Sequence, residues 1–104
     1  MRLLVDISRV QFTVSKAAEE KRDLDGRHKA DRKTGELLYT VQLVALDDSG
    51  AEVITVTVGG APPKVTPGQT VHLVELEAIP WATDKRSGVA YRAKAINPAM
   101  PKAA

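Results

Sequence analysis

Polar and apolar positions alternate most regularly between Leu37 and Val58, in two stretches of period two around a turn. Leu37, Tyr39, Val41, Leu43 and Ala45 share one parity, and Leu38, Thr40, Gln42 and Val44 share the other. Successive side chains of a strand point to opposite faces, so this pattern predicts a strand over 37–46. A second follows over 52–58, where Val53, Thr55 and Thr57 alternate with Ile54, Val56 and Val58. The Asp47-Asp48-Ser49-Gly50 stretch between them has the chemistry of a tight turn, so the two read as a hairpin.

Three further strands are predicted. Leu3 to Val14 reads as the first, although its apolar face changes parity near Ser8-Arg9, as a bulge or bend would require. Thr70 to Ile79 is the fourth. Val89 to Ile96 is the fifth, with Arg92 and Lys94 on one face and Val89, Tyr91, Ala93 and Ala95 on the other. Between the first two strands, 15–35 is polar. Its Ala17–Arg22 piece lacks the apolar stripe of a stable helix, and the rest is rich in charge with two glycines. It reads as a long mobile loop, whether functional or a solvated connector. The run 59–69, with its glycines and prolines, breaks regular structure and allows a short turn of helix at most. Residues 1–97 then form one domain, and 98–104 a flexible tail.

Five strands, a polar excursion after the first and a Gly/Pro-rich connection between the third and fourth predict an all-β fold. The expected form is a five-stranded Greek-key barrel of the oligonucleotide-binding (OB) type, with a long basic loop after strand one. An SH3-like barrel or a small open sheet is an alternative with similar elements.

Composition narrows the function classes. The 104 residues contain no cysteine, which excludes disulfides and thiolate chemistry. No apolar run is long enough to span a bilayer as a helix, and Met1-Arg2-Leu3-Leu4-Val5-Asp6 meets a charge too soon for a signal peptide, so the expected location is cytoplasmic. His28 and His72 are the only histidines and lack metal-ligand spacing. No nucleophile motif, phosphate loop or dinucleotide fingerprint is present, so neither an enzyme nor a cofactor is expected.

The net charge of +2 says little, but its distribution says more. Cations gather between Lys16 and Lys33 among several acids, and again from Lys85 to Lys94 with almost none. Two of the four aromatics, Trp81 and Tyr91, lie in or beside the second cluster. A π-face close to cations suits single-stranded nucleic acid, because bases stack on the ring while phosphates meet the charges. Arg27, Lys29, Arg32, Lys33, Lys85, Arg86, Arg92 and Lys94 are therefore the expected phosphate contacts. Trp81 is the expected stacking platform, with Tyr39 or Tyr91 assisting. The competing reading makes Trp81 a cap on the barrel end and the cations a solvated face. In an OB barrel the loop joining strands one and two rims the binding face, and here both rim loops are basic.

The stretch Lys29-Ala30-Asp31-Arg32-Lys33-Thr34-Gly35-Glu36-Leu37-Leu38-Tyr39-Thr40-Val41-Gln42-Leu43-Val44, followed by Pro80-Trp81 and Gly88–Ile96, resembles small regulatory or accessory proteins of actinobacterial conjugative and integrative plasmids. More loosely, it is similar to the OB-barrel helix-destabilising proteins of filamentous phage. The resemblance implies cooperative, sequence-tolerant binding of single-stranded DNA as a homodimer, in the service of replication or transfer of a mobile element. The expected partner is single-stranded DNA, with RNA open and no membrane. The rival expectation is a protein-interaction module that docks a replication or conjugation partner without touching DNA. A double-strand-binding regulator is disfavoured, since the sequence shows no recognition helix.

Overall fold

The central hairpin forms where the alternation is strongest, in a computed structural model that describes residues 2–99. There, β3 (Leu38–Asp47) and β4 (Gly50–Gly59) pair antiparallel along their whole length. The Asp47 carboxylate accepts the Ser49 amide at 2.8 Å and its hydroxyl at 2.6 Å, while Gly50 takes φ 130°, a region closed to most side chains. Val41 and Leu43, cross-strand from Val56 and Ile54, point inward to meet Phe12, Val14, Val71 and Leu73 in one apolar core.

The described residues form eight strands and no helix, where the pattern predicts five strands. The remaining six are β1 (Leu3–Leu4), β2 (Gln11–Glu20), β5 (Thr70–Val74), β6 (Glu77–Ala82), β7 (Ser87–Arg92) and β8 (Ala95–Pro98). All eight share one sheet in the order β1-β6-β7-β4-β3-β2-β5-β8. Its single parallel pair is β4–β7, with Val56 opposite Tyr91 and Thr57 opposite Arg92.

Three expected strands are divided, each for a local reason. The parity change at Ser8-Arg9 is a turn, in which Asp6 accepts the Ser8 amide and Ile7 the Val10 amide. It lets β1 pair with β6 while β2 pairs with β3 and β5. Between β5 and β6, Glu75 adopts φ 51°, a left-handed conformation that costs a residue with a Cβ about 1–2 kcal/mol. The next residue, Leu76, is buried in the core. Facing this break, buried Ala93 sends its amide to the Thr57 carbonyl, separating β7 from β8. The register nevertheless continues across both breaks, with Val74 opposite Ala95 and Glu77 opposite Arg92. Only Glu75 and Leu76 separate β5 from β6, so the two ends of the strand order come together and the sheet curls into a barrel-like form.

Residues 15–35 depart from the expected mobile loop. β2 runs on to Glu20 alongside β3, with register shifts after Val14 and after Lys16. Lys16, Ala17, Glu19 and Glu20 are exposed, so pairing with β3 holds this stretch without an alternating apolar face. Beyond it, 21–37 is a folded arm. Lys29 donates its amide to Lys21 and Leu38 donates to Lys29, with isolated bridges at Arg22/His28 and Ala30/Leu37. The connection 60–69 has no helix and is tied to β2 by Gly68 N–H to Val14 O and by buried Val65. Of the expected tail, Pro98 ends β8 and the Ala99 amide reaches the Thr70 carbonyl; 100–104 lie outside the described residues. No helix among the described residues is long and apolar enough to cross a membrane.

Candidate nucleic-acid interface

The arm folds back over the β6–β7 hairpin because Asp31 and Arg92 meet there, with Nη2 2.6 Å from Oδ2. Asp31 also accepts the Lys33 and Thr34 amides at 2.8 and 3.1 Å, which fixes the turn at the tip of the arm. Beneath this bridge lies a groove of about 350 Å³. Arg2, Lys21, Lys29, Arg32, Lys33 and Arg92 line it, with Asp31 as its sole acid. Arg2 is 3.8 Å from Glu77 and Arg92 is taken by Asp31; the other four cations have no acid within ion-pair distance among the described residues.

A second hollow of about 450 Å³ adjoins the first, sharing Lys21, Thr57, Ala90 and Tyr91 with it. It opens because β7 pairs with β4 only at its end, leaving the earlier parts of the two strands splayed. Trp81, Val53 and Val89 are all exposed there, alongside the carboxylate of Glu52. Trp81 lies against Gly88, its register partner on β7. A Cβ on Gly88 would sit 2.8 Å from the indole Cζ2 and 3.0 Å from Cε2, so only glycine lets the ring rest there. Cations at one end and exposed aliphatic and aromatic side chains at the other share Lys21, Thr57, Ala90 and Tyr91 and form one trough.

The expected site residues divide accordingly. Lys29, Arg32, Lys33, Tyr91 and Arg92 meet in the cationic half, and Tyr91 reaches the aromatic half beside Trp81. Arg27 is exposed near the far bend of the arm, its amide bonded to Asp23. Lys85 and Arg86 stand exposed at the tip of the β6–β7 hairpin, where Thr83 and Arg86 bond to each other, and neither lines the trough. Lys94 borders another cleft, shared with Arg92, in which Glu36, Glu75 and Glu77 outnumber the cations, a poor place to meet phosphate. Tyr39 also lies outside the trough. Its ring meets His28 edge-on at 4.9 Å, and His28 Nε2 donates to the Leu38 carbonyl at 2.7 Å. This pair braces the arm against β3. Lys21, Arg2 and Thr57 escaped the sequence reading: Lys21 stands in a mixed-charge run, and only the tertiary fold carries it onto β4.

Lys21 differs from the other groove cations. It is half-buried, and its Nζ donates to Thr57 Oγ1 at 3.1 Å. Burial, with Lys29 and Arg92 close by, lowers its pKa from the ordinary lysine value. Asp31 is shifted the other way in effect: the Lys33 and Thr34 amides and then Arg92 stabilise its carboxylate and lower its pKa from 3.8 to about 2. A carboxyl with a depressed folded-state pKa contributes stability above its ordinary value and loses it as pH falls through the folded one. The arm clasp is therefore expected to hold at pH 4 and release progressively toward pH 2. A carboxyl-carbon NMR titration of Asp31 should find its midpoint near the lower figure; a midpoint near 3.8 would show that the clasp does not form in solution.

Among the described residues, no three His, Cys, Asp or Glu side chains gather as a metal site requires. No family model, curated protein or solved structure matches the chain.

Proposed function

We propose that this protein binds single-stranded DNA without strong sequence preference, as a non-enzymatic accessory to the replication or transfer of a mobile element. The observation that carries the reading is the continuous trough, in which four cations without acid partners among the described residues lead to an exposed indole. A single strand offers both matching features, a phosphate backbone for the cations and unpaired base faces for the ring. A duplex keeps its bases stacked away from such a ring, and the described residues supply no helix for a major groove.

The strand pairings support an OB-type barrel as the scaffold. Counting β1–β2, β5–β6 and β7–β8 as kinked single strands gives five, with the first beside the second and fourth, the second beside the third, and the third parallel to the fifth. On this scaffold the arm and the β6–β7 tip flank the trough as the two rim loops of an OB binding face.

Titrating the protein with unlabelled oligodeoxythymidine while following tryptophan fluorescence tests the reading, since Trp81 is the only tryptophan. Quenching is expected, weakening as salt rises. Four phosphate contacts on a single strand give a slope of about −3 for log affinity against log salt. An oligouridine titrated in parallel reads the choice between DNA and RNA. No fluorescence change and no gel shift at low salt would overturn the proposal and favour a protein-docking role.

A further inference from the structure

Most groove cations need no explanation, because exposed lysines and arginines are well solvated. Lys21 is different. The fold half-buries its ammonium, sets it among Lys29 and Arg92, and provides no carboxylate within ion-pair distance among the described residues. Its one hydrogen-bond partner among the described residues is the Thr57 hydroxyl, on a residue only 8% exposed. Desolvating a cation next to other cations is unfavourable, and such arrangements concentrate where a ligand completes the charge balance. Asp31 answers Arg92 alone, leaving the positive charge of Lys21 and Lys29 unmatched among the described residues.

Position adds to the argument. Lys21 and Thr57 border both halves of the trough, at the junction of its cationic and aromatic parts. A serine or threonine hydroxyl has one proton to give and two lone pairs to receive with. While Thr57 Oγ1 accepts from Lys21, its own proton is free to donate toward the same hollow.

We propose that Lys21, Lys29 and the Thr57 hydroxyl form a phosphate subsite at this junction. It takes a tetrahedral phosphate oxyanion and sets where a bound strand passes from the cationic half to Trp81. The source of that phosphate rests on the single-strand reading, whereas the chemistry of the subsite does not. Binding requires the charged ammonium, so affinity should decline with rising pH earlier than an ordinary lysine would dictate.

The test follows the Lys21 Cε resonance through a pH titration of the full-length protein, alone, with inorganic phosphate, and with oligodeoxythymidine lacking terminal phosphates. Binding is expected to raise the Lys21 midpoint. Lys21→Met keeps much of the apolar stem and should weaken oligonucleotide binding about tenfold, as expected for a lost hydrogen bond between charged groups. It should also reduce the salt slope by about 0.7, one phosphate's share. Its melting temperature should be no lower than the parent's, since an uncompensated cation is removed. Thr57→Val should weaken binding in the same direction. If the oligonucleotide quenches Trp81 while the Lys21 midpoint and both variants' affinities stay unchanged, the subsite is wrong and the single-strand reading stands. If inorganic phosphate moves Lys21 and the oligonucleotide does nothing, the subsite stands with free phosphate as its ligand, and the single-strand reading falls. Silence toward both probes overturns both. A markedly lower melting temperature for Lys21→Met, with Thr57→Val binding normally, would make the lysine structural and sink the subsite.

Discussion

Trp81→Ala is expected to lower affinity for oligodeoxythymidine by about 1–3 kcal/mol, or roughly 5- to 150-fold, with little change in folding stability. The geometry argues for this separation of effects. The indole rests on Gly88, outside the core, and remains 41% exposed at the end of the trough. Removing it therefore takes away a stacking surface and leaves the packing of the barrel-like sheet intact. Anisotropy of a labelled oligonucleotide is the suitable readout, because the variant has no tryptophan left. Gly88→Ala provides an independent route to the same outcome. Its Cβ would meet the ring at 2.8 Å and must lift or turn it, so the unliganded fluorescence should shift and affinity should drop in the same direction. A folded Trp81→Ala protein with parental affinity would show that the indole only covers the hairpin.

Leu43→Ala is expected to cost about 2–5 kcal/mol of folding free energy, the range for a leucine truncated in a closed core. Leu43 is fully buried, with Val14 of β2 and Ile54 of β4 as its cross-strand neighbours. Strands on both sides restrict collapse into the cavity that alanine would leave. Domains of this size are stable by only about 5–15 kcal/mol, so the loss is a large fraction of the total. Leu43 lines neither half of the trough, so the fraction that stays folded should bind normally. Urea unfolding measures the loss, and a midpoint shift worth under about 1 kcal/mol would mean that the core is not closed around this residue. Together the two substitutions separate binding from folding: one should change affinity at constant stability, the other stability at constant affinity.

The sequence by itself determined the all-β class and the central hairpin. Alternation over 37–46 and 52–58 reports which side of a strand each residue occupies, and the Asp47–Gly50 turn joins the two within a few residues. Both signals are local, and the strands lie within about two residues of where they predict them. The cationic arm and the hairpin carrying Trp81 were legible for a similar reason, since charge and aromatic clusters appear in the linear chain. Only the tertiary structure decided which members of those clusters lie together. The Asp31–Arg92 bridge joins residues far apart in sequence and holds the arm bearing Lys29, Arg32 and Lys33 at the trough, while the pairing of Lys21 with Leu38 sets it beside Thr57 of β4. Period two puts Lys94 and Arg92 on one face, and both border the cleft with Glu36, Glu75 and Glu77, but only Arg92 also reaches the trough. The physical reason is one of range. Periodicity records the faces of a single strand, whereas a binding surface depends on which strands become neighbours when the sheet curls, a choice set by burial of the shared core.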